Sequence, residues 1–169
     1  HKLFDKLVYS KLREVMGGHV KHAVSGSAPL GARLGHFYRA IGVNILEGYG
    51  LTETTAPASV NLAEKSKIGT VGPALPGVSV RTDEHGELQV KGINVFREYW
   101  KNPEATAAAF DGEWFKTGDL GSIDEDGYIT VTGRIKEIIV TSGGKNVSPA
   151  ALEDPIRANS LVGRSVVVG

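Results

Sequence analysis

The sequence predicts an α/β fold in three parts: a partial parallel α/β sheet layer, a small antiparallel β subdomain, and the start of an α+β C-terminal domain. Three observations predict it. Residues 1–50 alternate helical-period and strand-like stretches, the pattern of a layered, mostly parallel sheet. Residues 68–133 change to period-two alternation broken by charged glycine turns, which is hairpin chemistry. Beyond 134 a short polar link leads to an apolar strand, a glycine turn and a proline-led helix. The boundaries are set at 1–67, 68–134 and 135–169.

In the first part, Leu3, Phe4, Leu7, Val8, Leu12, Val15 and Met16 share one helical face, and Gly17–Gly18 end that helix. "HVKHAVSG" reads as a strand. Pro29 is expected to open a second helix carrying Leu30, Leu34, Phe37, Tyr38 and Ile41 on one side, with Gly42 as its stop. "VNILEGYG" is the next strand. Ligands of parallel sheets gather at the carboxyl ends of strands, where "SGSAPL" and "EGYGLTE" both fall.

In the second part, Val78 and Val80 alternate on one strand, and Leu88 and Val90 follow after the turn "DEHG". A second hairpin repeats the pattern across "DEDG", and a helix over 102–110 is opened by Asn102–Pro103. In the third part, Ser148 is expected to cap a helix with Pro149 at its first position, and "SVVVG" to end the chain as a strand. A terminal strand needs a neighbour, so the chain is expected to be a piece of a longer one, cut at both ends.

Composition narrows the function. Hydrophobic residues are 41% and charged residues 22%, ordinary for a globular chain. Nineteen basic residues balance nineteen acidic ones, which argues against a nucleic-acid partner. The absence of cysteine excludes disulfides, thiolate metal sites and thiol nucleophiles. No apolar run approaches the roughly 20 residues of a transmembrane segment, and the charge-dotted N-terminus is not a signal peptide. A cytoplasmic protein fits these features. The 22 glycines cluster beside Thr, Ser, Asp and Lys, which suggests places where backbone approaches a ligand. The five histidines show no metal-ligand spacing.

The stretch "GYGLTETTAP" sets a carboxylate, Glu53, among hydroxyls on a glycine turn. By itself it also reads as a turn with Thr52 as a helix N-cap and a dipole-favoured glutamate; Thr54 and Thr55 read as turn and cap residues. Asp119 in "TGDLG" equally reads as an Asx-turn, Arg134 as a surface ion pair, "SGSAPL" as a plain strand-to-helix turn, and "TSGGKN" as a hairpin turn.

Four stretches in order tilt these readings: "SGSAPL" (25–30), "GYGLTET" (48–54), "WFKTGDLG" (114–121) and "GYITVTGRIKEIIVTSGGKNVSPAALE" (127–153). Together they resemble the adenylate-forming superfamily of acyl-CoA synthetases, adenylation domains and luciferases. "SKLREVMGGHVKHAVSGSAPL" and "NVFREYWKNPEAT" resemble the long-chain fatty-acid CoA ligases within it. The resemblance covers nearly the whole chain. Members also carry a Ser/Thr/Gly-rich phosphate loop upstream and a catalytic lysine near the C-terminus, and this sequence includes neither. It therefore resembles the last part of the large N-terminal domain, the hinge and the start of the small C-terminal domain. The 169 residues alone are expected not to turn over.

The resemblance implies ATP, Mg²⁺, coenzyme A and a long-chain fatty acid as reactants, with AMP released. It implies that Glu53 holds Mg²⁺, a hard ion that takes one or two carboxylates with nucleotide phosphate, and that Thr52 offers its hydroxyl to phosphate. Gly48 would let backbone approach adenine, Tyr49 would offer it an aromatic face, and Glu47 would stand beside the base. Gly26, Ser27 and Ala28 would leave room for adenine and the acyl carboxylate; relatives often carry glycine at the position of Ser27. Asp119 would accept from the ribose hydroxyls and Arg134 reach ribose or phosphate. Lys136 falls on the hinge, and Gly143 and Gly144 would give passage to the pantetheine arm. Two alternatives stand: a fatty-acyl-AMP ligase that loads a carrier protein, and a catalytically silent nucleotide-binding or structural fragment. The missing N- and C-terminal parts of the same chain are implied as partners, and peripheral membrane association is compatible with the reading.

Overall fold

The computed structural model describes residues 2–157 and 159–169. The chain opens with a helical run in which α1 (Lys2–Phe4) passes through a π-helical stretch (Asp5–Tyr9) into α2 (Ser10–Val15). Leu3, Phe4, Leu7, Val8 and Val15 of its apolar face are exposed. Arg13 ties the run down, donating to the Ile41 carbonyl at 2.6 Å and pairing with Asp5 at 2.9 Å.

The first sheet has the order β1 (His22–Ser25), β2 (Asn44–Leu51), β3 (Ala56–Val60). β1 and β2 are parallel and joined over α3 (Ala32–Ala40), as the helix–strand alternation predicts. Two expectations need correction. Pro29 does not open α3: the helix starts at Ala32 after Gly31, whose φ of +81° only glycine adopts freely, and whose carbonyl accepts from Leu34 and Gly35. Residues before it are held extended instead, with the Leu30 amide donating to Glu47 Oε1 at 3.0 Å. Second, the sheet is mixed. A 3₁₀ turn at Thr52–Thr54 and left-handed Thr55 (φ +52°) and Ala56 (φ +78°) reverse the chain, so that β3 runs antiparallel to β2. Gly42, at φ +90°, follows the end of α3 as expected.

The second sheet follows the path β4 (Val78–Thr82), β5 (Glu87–Gly92), β7 (Trp114–Ile123), β6 (Phe110–Asp111), with β8 (Ile129–Arg134) also on β7. Both expected hairpins form, β4–β5 and β7–β8, and all pairings are antiparallel. Asp83 accepts from the His85 and Glu87 amides, and Asp124 from those of Asp126 and Tyr128, so each acidic turn residue organises its own reversal. α4 (Pro103–Ala109) is capped by the Asn102 side chain, which accepts from Ala105 at 3.0 Å. Leu88, Val90, Phe115 and Ile129 form the buried centre here; Ile41, Val43 and Ala58 form that of the first sheet. The segment that follows β3 is stitched to the second sheet by backbone bonds, from the Val71 amide to the Ile129 carbonyl and from the Ile129 amide to the Gly72 carbonyl.

A 3₁₀ turn at Ile135–Glu137 leads to the small hairpin β9 (Ile139–Val140) and β10 (Asn146–Val147), then α5 (Pro149–Arg157). The Ser148 hydroxyl donates to the Thr132 carbonyl at 3.2 Å, tying α5 to β8. "SVVVG" forms no strand. The Val167 amide is taken by Glu153 Oε1 at 2.9 Å and the Ser165 hydroxyl by the Glu153 carbonyl at 3.0 Å, so α5 binds this segment in place of a strand partner.

Candidate nucleotide site

The parallel register of β1 and β2 sets Ser25 opposite Glu47, so the segments that follow them lie side by side. A Cβ on Gly26 would sit 3.4 Å from the Gly48 carbonyl. Glu47 binds the far side of this loop through Leu30. Ser27 is held at φ +67°, a left-handed conformation that costs an L-residue roughly 1–2 kcal/mol and that glycine takes freely. Ala28 follows it on the same loop. Gly48 is crowded from the other side, where a Cβ would meet the Ser59 carbonyl at 3.2 Å.

From β2, Tyr49 reaches across to the second sheet. Its hydroxyl donates to Asp119 Oδ2 at 2.6 Å. Asp119 lies on β7 opposite Arg134 of β8, whose Nε lies 3.1 Å from Oδ1. The Asp119 side chain is 4% exposed, whereas the Arg134 side chain is 62% exposed. Burial, and then the bond to Asp119, push the Tyr49 phenol far above its ordinary range. Tyr49, Asp119 and Arg134 thus form one unit from residues 70 and 15 positions apart.

Glu53 sits in the 3₁₀ turn that links β2 to β3. Thr54, fully buried, builds that turn: its hydroxyl donates to the Ala56 carbonyl at 2.8 Å and accepts from the Leu51 amide at 2.9 Å. Thr54 and Thr55 are turn and cap residues, as read from the sequence, and the N-cap itself is Leu51 rather than Thr52. Thr52 is exposed, and its hydroxyl makes no hydrogen bond among the described residues. Glu53 Oε1 accepts from the Tyr99 hydroxyl at 2.9 Å. Burial and this bond raise the Tyr99 phenol above its ordinary range. Tyr99 was not singled out by sequence reasoning; its only signal was its place in the irregular stretch "NVFREYWKNPEAT".

Lys136 is exposed in the 3₁₀ turn between β8 and β9. Gly143 and Gly144 lie in the turn between β9 and β10, where the Gly144 amide donates to the Thr141 carbonyl at 2.8 Å. A Cβ on either glycine would meet nothing within 4 Å, so neither is demanded by packing. Among the described residues, no hydrogen bond links this turn to the Tyr49–Asp119 or Tyr99–Glu53 pair. A cavity of about 400 Å³ lies nearby, lined by Asp83, His85, Leu120, Ile135, Ile138 and Val140 among others.

The AMP-binding enzyme family matches residues 2–100. The chain is 59% identical over all its 169 residues to the long-chain-fatty-acid–CoA ligase FadD15 of Mycobacterium bovis, and spans 28% of that ligase's length. The ATP-bound structure of MatB from Rhodopseudomonas palustris superimposes with a TM-score of 0.82 at 43% identity, covering 93% of this chain and 33% of that one. The AMP complex of the O-succinylbenzoate coenzyme A synthetase MenE from Bacillus subtilis superimposes with a TM-score of 0.81 at 26% identity, covering 95% and 37%. With more than half of its residues matched by that one family, the chain belongs to the AMP-binding enzymes.

Proposed function

We propose that this chain is part of a cytoplasmic long-chain fatty-acid CoA ligase that activates a fatty acid with ATP and passes the acyl group to coenzyme A, releasing AMP. In this reading residues 1–67 close the large N-terminal domain, 68–134 form its β subdomain, and 135–169 carry the hinge and open the small C-terminal domain. The observation that carries the reading is the 59% identity to a long-chain-fatty-acid–CoA ligase over every residue of the chain.

The chemistry divides in two. The fatty-acid carboxylate attacks the α-phosphate, forming acyl-adenylate and expelling pyrophosphate; the coenzyme A thiol then attacks the acyl carbon and expels AMP. Asp119 orients the ribose. Each of its oxygens has one acceptor position taken by Tyr49 or Arg134, and each has another to offer a hydroxyl. Arg134, the exposed partner, is the one that yields space. Gly26, Ser27, Ala28, Gly48 and Tyr49 border the base, with Glu47 fixing the loop beside it. Thr52 donates its free hydroxyl to a phosphate oxygen. Lys136 is the pivot between the two half-reactions, and Gly143 and Gly144 border the pantetheine arm.

The residues around Glu53 fit magnesium. Its Oε2 makes no hydrogen bond among the described residues, and a single carboxylate suffices where nucleotide phosphate supplies the other ligands. Among the described residues no group of three or more His, Cys, Asp or Glu forms an all-protein cage, which such an ion does not need. When bound, the ion would serve as a Lewis acid at the reacting phosphate. Glu53 and Thr52 would hold it and its phosphate.

The test uses the full-length protein. ATP–pyrophosphate exchange dependent on a long-chain fatty acid, and acyl-CoA formed only with coenzyme A, are expected. Exchange with no acyl-CoA product would make the protein a fatty-acyl-AMP ligase. No exchange at all would refute the enzyme reading.

A further inference from the structure

The turn that carries Glu53 belongs to the first sheet, yet it is gripped by a loop of the second. Residues 93–102, between β5 and α4, make three hydrogen bonds to it. The Thr55 hydroxyl donates to the Asn94 carbonyl at 2.8 Å, the Phe96 amide to the Glu53 carbonyl at 2.8 Å, and the Tyr99 hydroxyl to Glu53 Oε1 at 2.9 Å. The first holds the Thr55 side chain and the second the turn's backbone. The third fixes the carboxylate, and among the described residues no other hydrogen bond does so.

The phenol is itself firmly mounted. The Tyr99 amide donates to the Thr106 hydroxyl at 2.9 Å, which anchors it to the first turns of α4. Its ring lies 4.7 Å from that of Phe96, which in turn meets Phe115 edge-on at 5.4 Å and stacks on Phe110 at 5.6 Å. Phe115 is 3% exposed, so the cluster is part of the buried centre of the second sheet. A flexible glutamate is thereby tied to rigid aromatic packing through one bond.

We infer that Tyr99 is a positioning residue that holds the Glu53 carboxylate with Oε1 occupied and Oε2 presented to a divalent cation. The inference rests on the reading of Glu53 as a metal ligand and adds the residue that aims it. A ligand carboxylate free to rotate must lose that freedom on binding the ion, whereas one already hydrogen-bonded has lost it in advance. Partners of this kind contribute about 10- to 100-fold to metal affinity. A neutral phenol suits the role because it donates to the carboxylate without adding a positive charge that would repel the ion.

The experiment titrates Mn²⁺, with free ion read by electron paramagnetic resonance, into the full-length protein saturated with α,β-methylene-ATP. Tyr99→Phe keeps the ring and deletes only the hydroxyl. It is expected to weaken Mn²⁺ binding about tenfold while metal-free AMP binding, measured by calorimetry, stays at the wild-type value. Adding Tyr99→Phe to Glu53→Gln should weaken Mn²⁺ no further than Glu53→Gln alone. Unchanged Mn²⁺ affinity in Tyr99→Phe beside a weakened Glu53→Gln would overturn this inference and leave the metal reading intact. Lost AMP binding in Tyr99→Phe would also overturn it, since the loop would then be merely structural. Unchanged Mn²⁺ affinity in Glu53→Gln would defeat the metal reading itself and this inference with it.

Discussion

Replacing Asp119 by alanine removes the acceptor that Tyr49 and Arg134 share, and the two partners lose unequally. The Tyr49 hydroxyl loses its carboxylate acceptor inside the protein and keeps only the Thr117 hydroxyl beside it, which costs about 1–3 kcal/mol. Arg134 is 62% exposed and can turn to water, so its share is at most about 1 kcal/mol. A loss of about 2 kcal/mol is expected, dominated by the tyrosine and felt where β7 and β8 pair. Hydrogen exchange of peptides from these strands, in the full-length protein, should speed up about thirtyfold, since each 1.4 kcal/mol is tenfold. Tyr49→Phe on the same background removes the orphaned hydroxyl and should recover much of the protection, a coupling of about 1–2 kcal/mol. AMP binding should weaken about 10- to 100-fold in Asp119→Ala, because hydrogen bonds to a charged acceptor contribute about 1.5–3 kcal/mol. Equal exchange in the single and double variants would refute the account of the tyrosine. Normal AMP binding would refute the ribose role and leave Asp119 as a strut between β7 and β8.

Tyr49→Phe should also change the alkaline limb of stability. The folded phenol lies above its ordinary value of 10.0, so the unfolded chain loses that proton first. The contribution is fully present below pH 10 and falls as pH rises beyond it, by about 1.4 kcal/mol per pH unit; denaturation midpoints between pH 9 and 11 should fall less steeply in the phenylalanine variant, and identical slopes would count against it. Gly50→Ala should cost about 3 kcal/mol, the upper end for overpacking, because its Cβ would lie 2.0 Å from the Ala56 carbonyl oxygen, backbone that no rotamer change can move; Gly143→Ala, open on all sides, is the matched control, and equal melting temperatures for the two would contradict the packing argument. Lys136→Pro should spare adenylation and slow transfer to coenzyme A, since proline fixes φ and drives Ile135 out of the helical region its 3₁₀ turn uses. Single-turnover transfer from preformed acyl-adenylate decides it: normal transfer places the hinge elsewhere, and loss of both half-reactions means a damaged strand edge.

What was legible in the sequence was local. "DEHG" and "DEDG" declared their hairpins because an acidic residue and a glycine at fixed offsets satisfy the turn without help from elsewhere. Asn102–Pro103 declared α4 for the same reason. The failures were matters of partner choice. Pro29 is a sound helix opener, but Glu47, seventeen residues beyond Leu30, claims the Leu30 amide, and the helix waits for Gly31. "SVVVG" has strand composition, but Glu153 claims its amide. β3 was missed because its direction depends on two left-handed residues, Thr55 and Ala56, whose types do not advertise that conformation.

The candidate site shows the same division at higher stakes. Glu53 and Asp119 could be picked out as isolated carboxylates in recognisable stretches, but not what holds them. Tyr49 belongs to the first sheet and bonds Asp119 in the second; Tyr99, in the loop that follows β5, bonds Glu53 in the turn between β2 and β3. Each candidate carboxylate is thus steadied by a phenol from a distant part of the chain. Hydrogen bonds spanning 70 and 46 residues leave no periodicity and no spacing rule behind them. They follow from the docking of the two sheets, which is why the motifs were readable and the geometry that joins them was not.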